Sequence, residues 1–201
     1  ICEKEDILLI FDEIVTGFRL REYSAQNFFK VYPDITILGK VIGGGFPIGI
    51  FGGREDVMKK VSPQGNVHNA GTFNAHPISI WAGLKTLEYM EKFKALDKAC
   101  DFAENLGKAL SNLIRELKVK ARVNYIGSMF QIFFTEKDIK NFSDVKACDL
   151  ERYHIFHREM MNKGVYFAPS QLETNFTSST HTKEDFDFTL KCLEEVLGKI
   201  K

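Results

Sequence analysis

Residues 7–11 (ILLIF) form a nearly continuous apolar run, which predicts a buried strand of a parallel sheet, and the run ends in the acidic pair Asp12-Glu13. Residues 35–38 predict a second strand that leads into Gly39-Lys40. A third, over residues 48–51, sits among Gly43, Gly44, Gly45, Gly49, Gly52 and Gly53, a density that implies backbone passing close to something. The period then changes. Pro77, favoured at a first helical position, opens a helix to about residue 92. Leu96, Ala99, Ala103, Leu106, Leu110, Leu113 and Leu117 recur at three-to-four spacing and predict an amphipathic helix over residues 95–117.

Beyond Val119 the elements shorten. Residues 123–126 and 129–135 read as paired strands around Gly127-Ser128, and residues 136–146 as a polar insert. A helix over 150–162 ends at Gly164, a short strand follows over 165–168, and Thr182 caps a closing helix over 183–199. Residues 1–93 therefore read as α/β, and residues 94–201 as a smaller α+β unit.

Composition narrows the class. The 201 residues carry 27 Lys+Arg against 27 Asp+Glu, so no net charge draws the chain to nucleic acid. The longest uncharged stretch, 41–53, is too short and glycine-rich to cross a bilayer. Cys2, Cys100, Cys148 and Cys192 form no CxxC pair, which fits reduced thiols in an intracellular, cytoplasmic protein. The chain opens without an initiator Met, and is expected to be the later part of a longer protein.

Three positions carry candidate chemistry. Lys40 follows a strand and precedes glycines, but the order is not that of a nucleotide-binding P-loop, and no GxGxxG occurs. It is either a solvated lysine or, held among Leu38, Val41 and Ile42, a lysine with a depressed pKa able to act as a nucleophile. Asp12 either simply ends its strand or faces the crevice at the strand ends, where a carboxylate keeps a pyridine nitrogen protonated. Thr72, in the loop before the helix at Pro77, is either a locally satisfied turn hydroxyl or a phosphate contact. His154 and His157 share a helix but lack a third ligand, so they read as helix surface and no metal is expected. No nucleophile elbow or Cys-His pair supports a hydrolase.

Residues 9–19 (LIFDEIVTGFR), 33–49 (PDITILGKVIGGGFPIG), 69–73 (NAGTF) and 168–173 (APSQLE) resemble, in order, segments of the class III pyridoxal-phosphate aminotransferases. The similarity runs over essentially the whole chain. It is strongest to the aminomutase branch, which converts glutamate-1-semialdehyde to 5-aminolevulinate for tetrapyrrole synthesis. The resemblance implies the fold of the type I pyridoxal-phosphate transferases, an α/β large domain followed by a small C-terminal α+β domain.

It also implies roles. Lys40 would bond the cofactor and shuttle protons, Asp12 would pair with the pyridinium nitrogen, and Ile14 (where Val is usual) would pack on the ring. Gly71 and Thr72 would bind the phosphate of a neighbouring subunit, so a homodimer is implied, with pyridoxal 5'-phosphate passing through its pyridoxamine form in turnover. Glu173 stands where related aminotransferases carry an arginine for a substrate carboxylate, so its charge would repel a second carboxylate. The family's chains are much longer, and the part before Ile1 would hold the rest of the phosphate cradle. The isolated chain is therefore expected to be inactive. The alternatives are a class III ω-aminotransferase of a small amino acid or amine, and a non-catalytic fragment that self-associates.

Overall fold

A computed structural model describes residues 1–200, and the chain divides into two compact units, Ile1–Ala95 and Leu96–Lys201. The first contains helix α1 (Cys2–Glu5), strand β1 (Ile10–Asp12), helix α2 (Ala25–Phe29) and strand β2 (Ile35–Gly39). A 3-10 turn, Lys40–Gly43, follows directly, then β3 (Gly49–Gly53), α3 (Glu55–Met58) and α4 (Pro77–Phe93). The strands lie in the order β1-β2-β3. β1 runs parallel to β2 with Asp12 opposite Ile37, whereas β3 is antiparallel with Gly49 opposite Gly39.

The first apolar run corrects the expectation twice. Pairing begins only at Ile10, because Ile7 N–H closes the turn of α1 onto Cys2 O and Leu9 N–H donates to Asp34 Oδ2 at 2.7 Å. The strand is also not buried: Ile10 is 51% exposed, and Ile7 and Leu8 are comparably open. β1 is the edge of the three-stranded sheet, so its outer side has no ladder partner among the described residues.

The glycine run has a packing reason. Gly44 has φ +58°, and a Cβ there would come within 2.2 Å of Thr86 Oγ1 on α4. Gly83 on α4 returns the approach, since a Cβ on it would meet Ile42 O at 2.7 Å. The turn after β2 thus lies directly on α4, with backbone where side chains would otherwise be.

The second unit contains α5 (Ala95–Leu117), β4 (Arg122–Ile126), β5 (Met129–Phe133), α6 (Phe142–Lys146), α7 (Leu150–Asn162), β6 (Asn175–Phe176) and α8 (Lys183–Lys199). The sheet order is β4-β5-β6, antiparallel throughout. The predicted stripe of α5 is buried from Leu96 to Leu113, and Leu117 packs against the core. That core joins Leu106 and Leu110 to Phe130 and Ile132 of β5, Tyr153, Phe156 and Met160 of α7, and Leu193, Val196 and Leu197 of α8. Each such side chain contributes about 1.5–3 kcal/mol by leaving water. α8 starts on a capping box: Asp185 N–H donates to Thr182 Oγ1 (3.2 Å) and Thr182 N–H to Asp185 Oδ2 (2.8 Å). The Thr182 N–H, and after it the Thr182 hydroxyl, hold the Asp185 carboxyl below its usual range.

One predicted strand, over 165–168, does not form. At its two ends the backbone finds other partners: Val165 N–H donates to Met160 O (3.0 Å), Ala168 N–H to Asn175 Oδ1 (2.7 Å), and Ala168 O accepts from Tyr153 OH (2.7 Å). The place beside β5 is taken by β6, with Asn175 opposite Phe130. The polar insert over 136–146 contains α6, capped by Asn141. Among the described residues, no helix is long and apolar enough to cross a membrane.

Candidate active site

Asp12, Ile14 and Lys40 all stand at the C-terminal ends of the adjacent strands β1 and β2. Parallel pairing of adjacent strands is what does this: Asp12 closes β1 opposite Ile37, and Lys40 follows Gly39, the last residue of β2. Ile14 completes the group, because a Cβ on Gly39 would touch Ile14 Cγ2 at 3.4 Å. The side chain of Ile14 therefore lies over the residue that precedes the lysine.

Strand parity separates the acidic pair. Successive residues face opposite sides of a strand. Asp12 is exposed, with Oδ1 accepting from Ile14 N–H at 3.0 Å, whereas Glu13 is 1% exposed. Glu13 accepts from Thr16 Oγ1 (3.0 Å), Ala25 N–H (2.5 Å), Gln26 N–H (3.1 Å) and Gln26 Nε2 (3.2 Å). It ties the 16–26 loop to the strand end, which leaves Asp12 as the carboxylate open to a ligand.

Lys40 departs from the sequence expectation of an apolar enclosure. It is exposed, and in the 3-10 turn it is Ile42 and Gly43 that are buried. Its φ is +50°, a left-handed conformation uncommon for a side-chain-bearing residue. Arg19, the last residue of the first resembling segment, donates from Nη1 to Val15 O at 2.7 Å, and partial burial lowers its pKa.

Gly71 and Thr72 lie on a different element, the loop ahead of α4, and both are exposed. Gly71 O accepts from Asn74 N–H at 3.0 Å, and a Cβ on Gly71 would strike Asn74 Oδ1 at 2.7 Å, so this loop is folded on itself.

Glu173 belongs to the second unit and is exposed. It ends a tight turn in which Glu173 N–H donates to Ser170 O (3.0 Å) and Leu172 N–H to Ser170 Oγ (3.1 Å). With Phe102, Phe130, Tyr166 and Phe167 it lines a groove of about 460 Å³. Under this turn lies a set of polar side chains that the motif reading missed: Gln131, Tyr153, Gln171 and Asn175, all buried. Burial pushes the Tyr153 hydroxyl up to about 12, so it stays protonated and able to donate. A glutamine inside the apolar run MFQIFF was the available signal, since a buried amide requires partners.

His154 is exposed on α7, while His157 is half-buried, its ring edge-on to Tyr166 and its Nε2 without a hydrogen-bond partner. Among the described residues no three His, Cys, Asp or Glu side chains are grouped to hold a metal ion.

Comparison with known proteins gives the family and the fold. The class-III aminotransferase family matches residues 1–197. The chain is 46% identical over 201 residues to a glutamate-1-semialdehyde 2,1-aminomutase of Caldivirga maquilingensis, covering all of this chain and 47% of that protein. It is 48% identical over 199 residues to the protein of that name from Pyrobaculum islandicum, covering 99% and 47%. The chain therefore spans about half the length of the curated relatives it matches. Among solved structures, a β-phenylalanine aminotransferase from Variovorax paradoxus superposes with a TM-score of 0.86 at 27% identity, over 98% of this chain and 46% of that one. A glutamate-1-semialdehyde aminomutase from Pseudomonas aeruginosa, in complex with PMP, shares the fold with a TM-score of 0.85 at 19% identity, over 100% and 46%. The fold is that of the pyridoxal-phosphate transaminases, and the chain belongs to the class-III aminotransferase family.

Proposed function

We propose that this chain is the later half of a pyridoxal-phosphate-dependent aminomutase that converts glutamate-1-semialdehyde to 5-aminolevulinate, feeding tetrapyrrole synthesis. The observation that carries the reading is an exposed lysine amine and an exposed carboxylate at the ends of two adjacent parallel strands, in a chain whose nearly half-identical relatives bear that name. The donor set fits the cofactor: an amine for its aldehyde, a carboxylate for its ring nitrogen, and an aliphatic side chain, Ile14, held beside the lysine.

When bound, the cofactor supplies an electron sink for the carbon that loses a proton. Lys40 holds the cofactor and then moves protons at Nζ between two carbons of the substrate. Its exposure leaves the amine accessible, and the left-handed turn fixes where its backbone leaves the strand. The Asp12 carboxylate keeps a proton on the ring nitrogen. Gly71 and Thr72 offer a backbone N–H and a hydroxyl to the phosphate of a second subunit, so the working form is a homodimer. Glu173 repels a second carboxylate, which keeps the amino group within one molecule.

A second reading, an ω-aminotransferase using an external acceptor, is favoured by the match to the β-phenylalanine aminotransferase. Borohydride trapping with pyridoxal phosphate followed by peptide mapping tests the site: a single pyridoxyl mass on the Lys40 peptide is expected. In the full-length enzyme, Lys40→Ala should lower aminolevulinate formation by about 10³-fold or more. Retained formation would remove Lys40 from its role. Turnover with an external oxo acid would favour the second reading.

A further inference from the structure

The turn that presents Glu173 is held from below by one side chain. Gln131, in the middle of β5 and buried, donates from Nε2 to Ser170 O at 3.2 Å and also to Glu173 O. The two protons of one amide thus bond the two ends of a single four-residue turn. Any slide of the turn along the sheet breaks at least one of them.

The acceptor end of that amide is fixed as firmly. Gln131 Oε1 accepts from Ile132 N–H at 2.9 Å and from Asn175 Nδ2 at 2.9 Å. Asn175 in turn accepts Ala168 N–H through Oδ1, and Tyr153 OH donates to Ala168 O. Backbone groups at residues 168, 170 and 173 are therefore bonded to side chains of β5, β6 and α7. The turn does not stabilise itself fully: Gln171 is 2% exposed, with Oε1 accepting from Phe134 N–H at 3.3 Å, yet its Nε2 is buried without a hydrogen-bond partner. An unpaired buried donor penalises this conformation, so outside support decides whether it is kept.

We propose that Gln131, seconded by Asn175 and Tyr153, is the positioning residue that fixes the Glu173 carboxylate and so sets discrimination against substrates with a second carboxylate. This rests on the exclusion role given to Glu173 above. Gln131 touches neither substrate nor cofactor in this scheme; it acts through the turn. A charge discriminates only where it is held, because a carboxylate free to swing away exerts little repulsion through water.

The test uses the full-length holoenzyme loaded with the aminated cofactor. Amine transfer to a 2-oxo dicarboxylate is compared with transfer to a 2-oxo monocarboxylate, both followed by cofactor absorbance. The ratio of the two rates is independent of how much enzyme is folded. Gln131→Met keeps the side chain's length and removes both donors. It should raise the ratio by about tenfold and speed amide exchange over residues 170–173 by about tenfold or more. Tyr153→Phe, which keeps the ring and loses the hydroxyl's bonds to Ala168 O and to Gln131 Oε1, should move both readouts in the same direction by less, and it decides the matter if Gln131→Met fails to fold.

An unchanged ratio in the folded variant, while Glu173→Gln raises it, overturns the proposal. If Glu173→Gln itself leaves the ratio unchanged, the exclusion role of Glu173 has failed instead. Amide exchange then decides the positioning claim alone: faster exchange upholds Gln131 as the anchor of the turn, and unchanged exchange overturns it.

Discussion

The second unit encloses its apolar side chains between three helices and a sheet, with Leu110, Ile132, Tyr153, Phe156, Met160, Leu193 and Leu197 wholly or almost wholly buried. The first unit leaves large ones open: Ile10 on β1, Phe29 on α2, and Ile78, Trp81 and Leu84 on α4. Both contain three-stranded sheets, so strand count does not make the difference. What differs is cover. In the first unit α4 lies on the turn after β2 through a seam of Gly44 and Gly83, a contact of backbone rather than of interlocking side chains. The lesson is that Lys40 belongs to the region whose large apolar side chains lie open in this chain of about half its relatives' length, and the turn bearing Glu173 to the region that encloses them.

The comparison can be broken at its strongest point. Phe156 is fully buried and rings Phe134, Tyr153 and Phe167 at 5.6, 5.8 and 5.2 Å between centroids. Phe156→Ala should cost the second unit about 3–5 kcal/mol in chemical denaturation, leaving transitions reported from the first unit unmoved. A smaller loss, about 1.5–3 kcal/mol, is expected in the first unit from Glu13→Gln, which places an amide donor among the N–H groups the carboxylate now accepts. An effect as large as that of Phe156→Ala would mean the first unit is held more by polar ties than by burial.

The smallest effect is acidic. Leu9 N–H, and after it Arg54, hold the Asp34 carboxyl below the usual carboxylate range. A folded-state value below the unfolded one gives stability that is complete above about pH 4 and is lost as pH falls through the folded value. Wild type should therefore lose stability on acidification below about pH 4, and Asp34→Asn should flatten that slope in the first unit alone, as read by denaturation at stepped pH. An equally steep slope in the variant would place the acid sensitivity elsewhere.

Local signals were the legible ones. The helices Ala95–Leu117, Leu150–Asn162 and Lys183–Lys199 follow from a stripe, a glycine stop and a capping threonine, each acting within a turn or two. Residues 7–11 were misread because an apolar run says nothing of which backbone groups find partners, and here Asp34 captures Leu9 first. Residues 165–168 failed similarly, with Val165 bonded back to Met160 and Ala168 to Asn175 and Tyr153 rather than to a strand. In the site, Asp12 and Lys40 could be read from strand ends, since parallel pairing aligns such ends without further instruction. The support for Glu173 could not. Gln131 reaches carbonyls 39 and 42 residues away, and no spacing rule spans that distance.

Lys40 itself sets stability against chemistry. A lysine with φ +50° holds a conformation that glycine adopts freely, and relief of that strain is worth about 1–2 kcal/mol. Lys40→Gly is thus the change a screen for thermal robustness would reward in this thinly covered unit, and it deletes the amine. On the role proposed for Lys40, engineering that ranks variants by melting temperature alone would drift toward a sturdier protein emptied of its nucleophile.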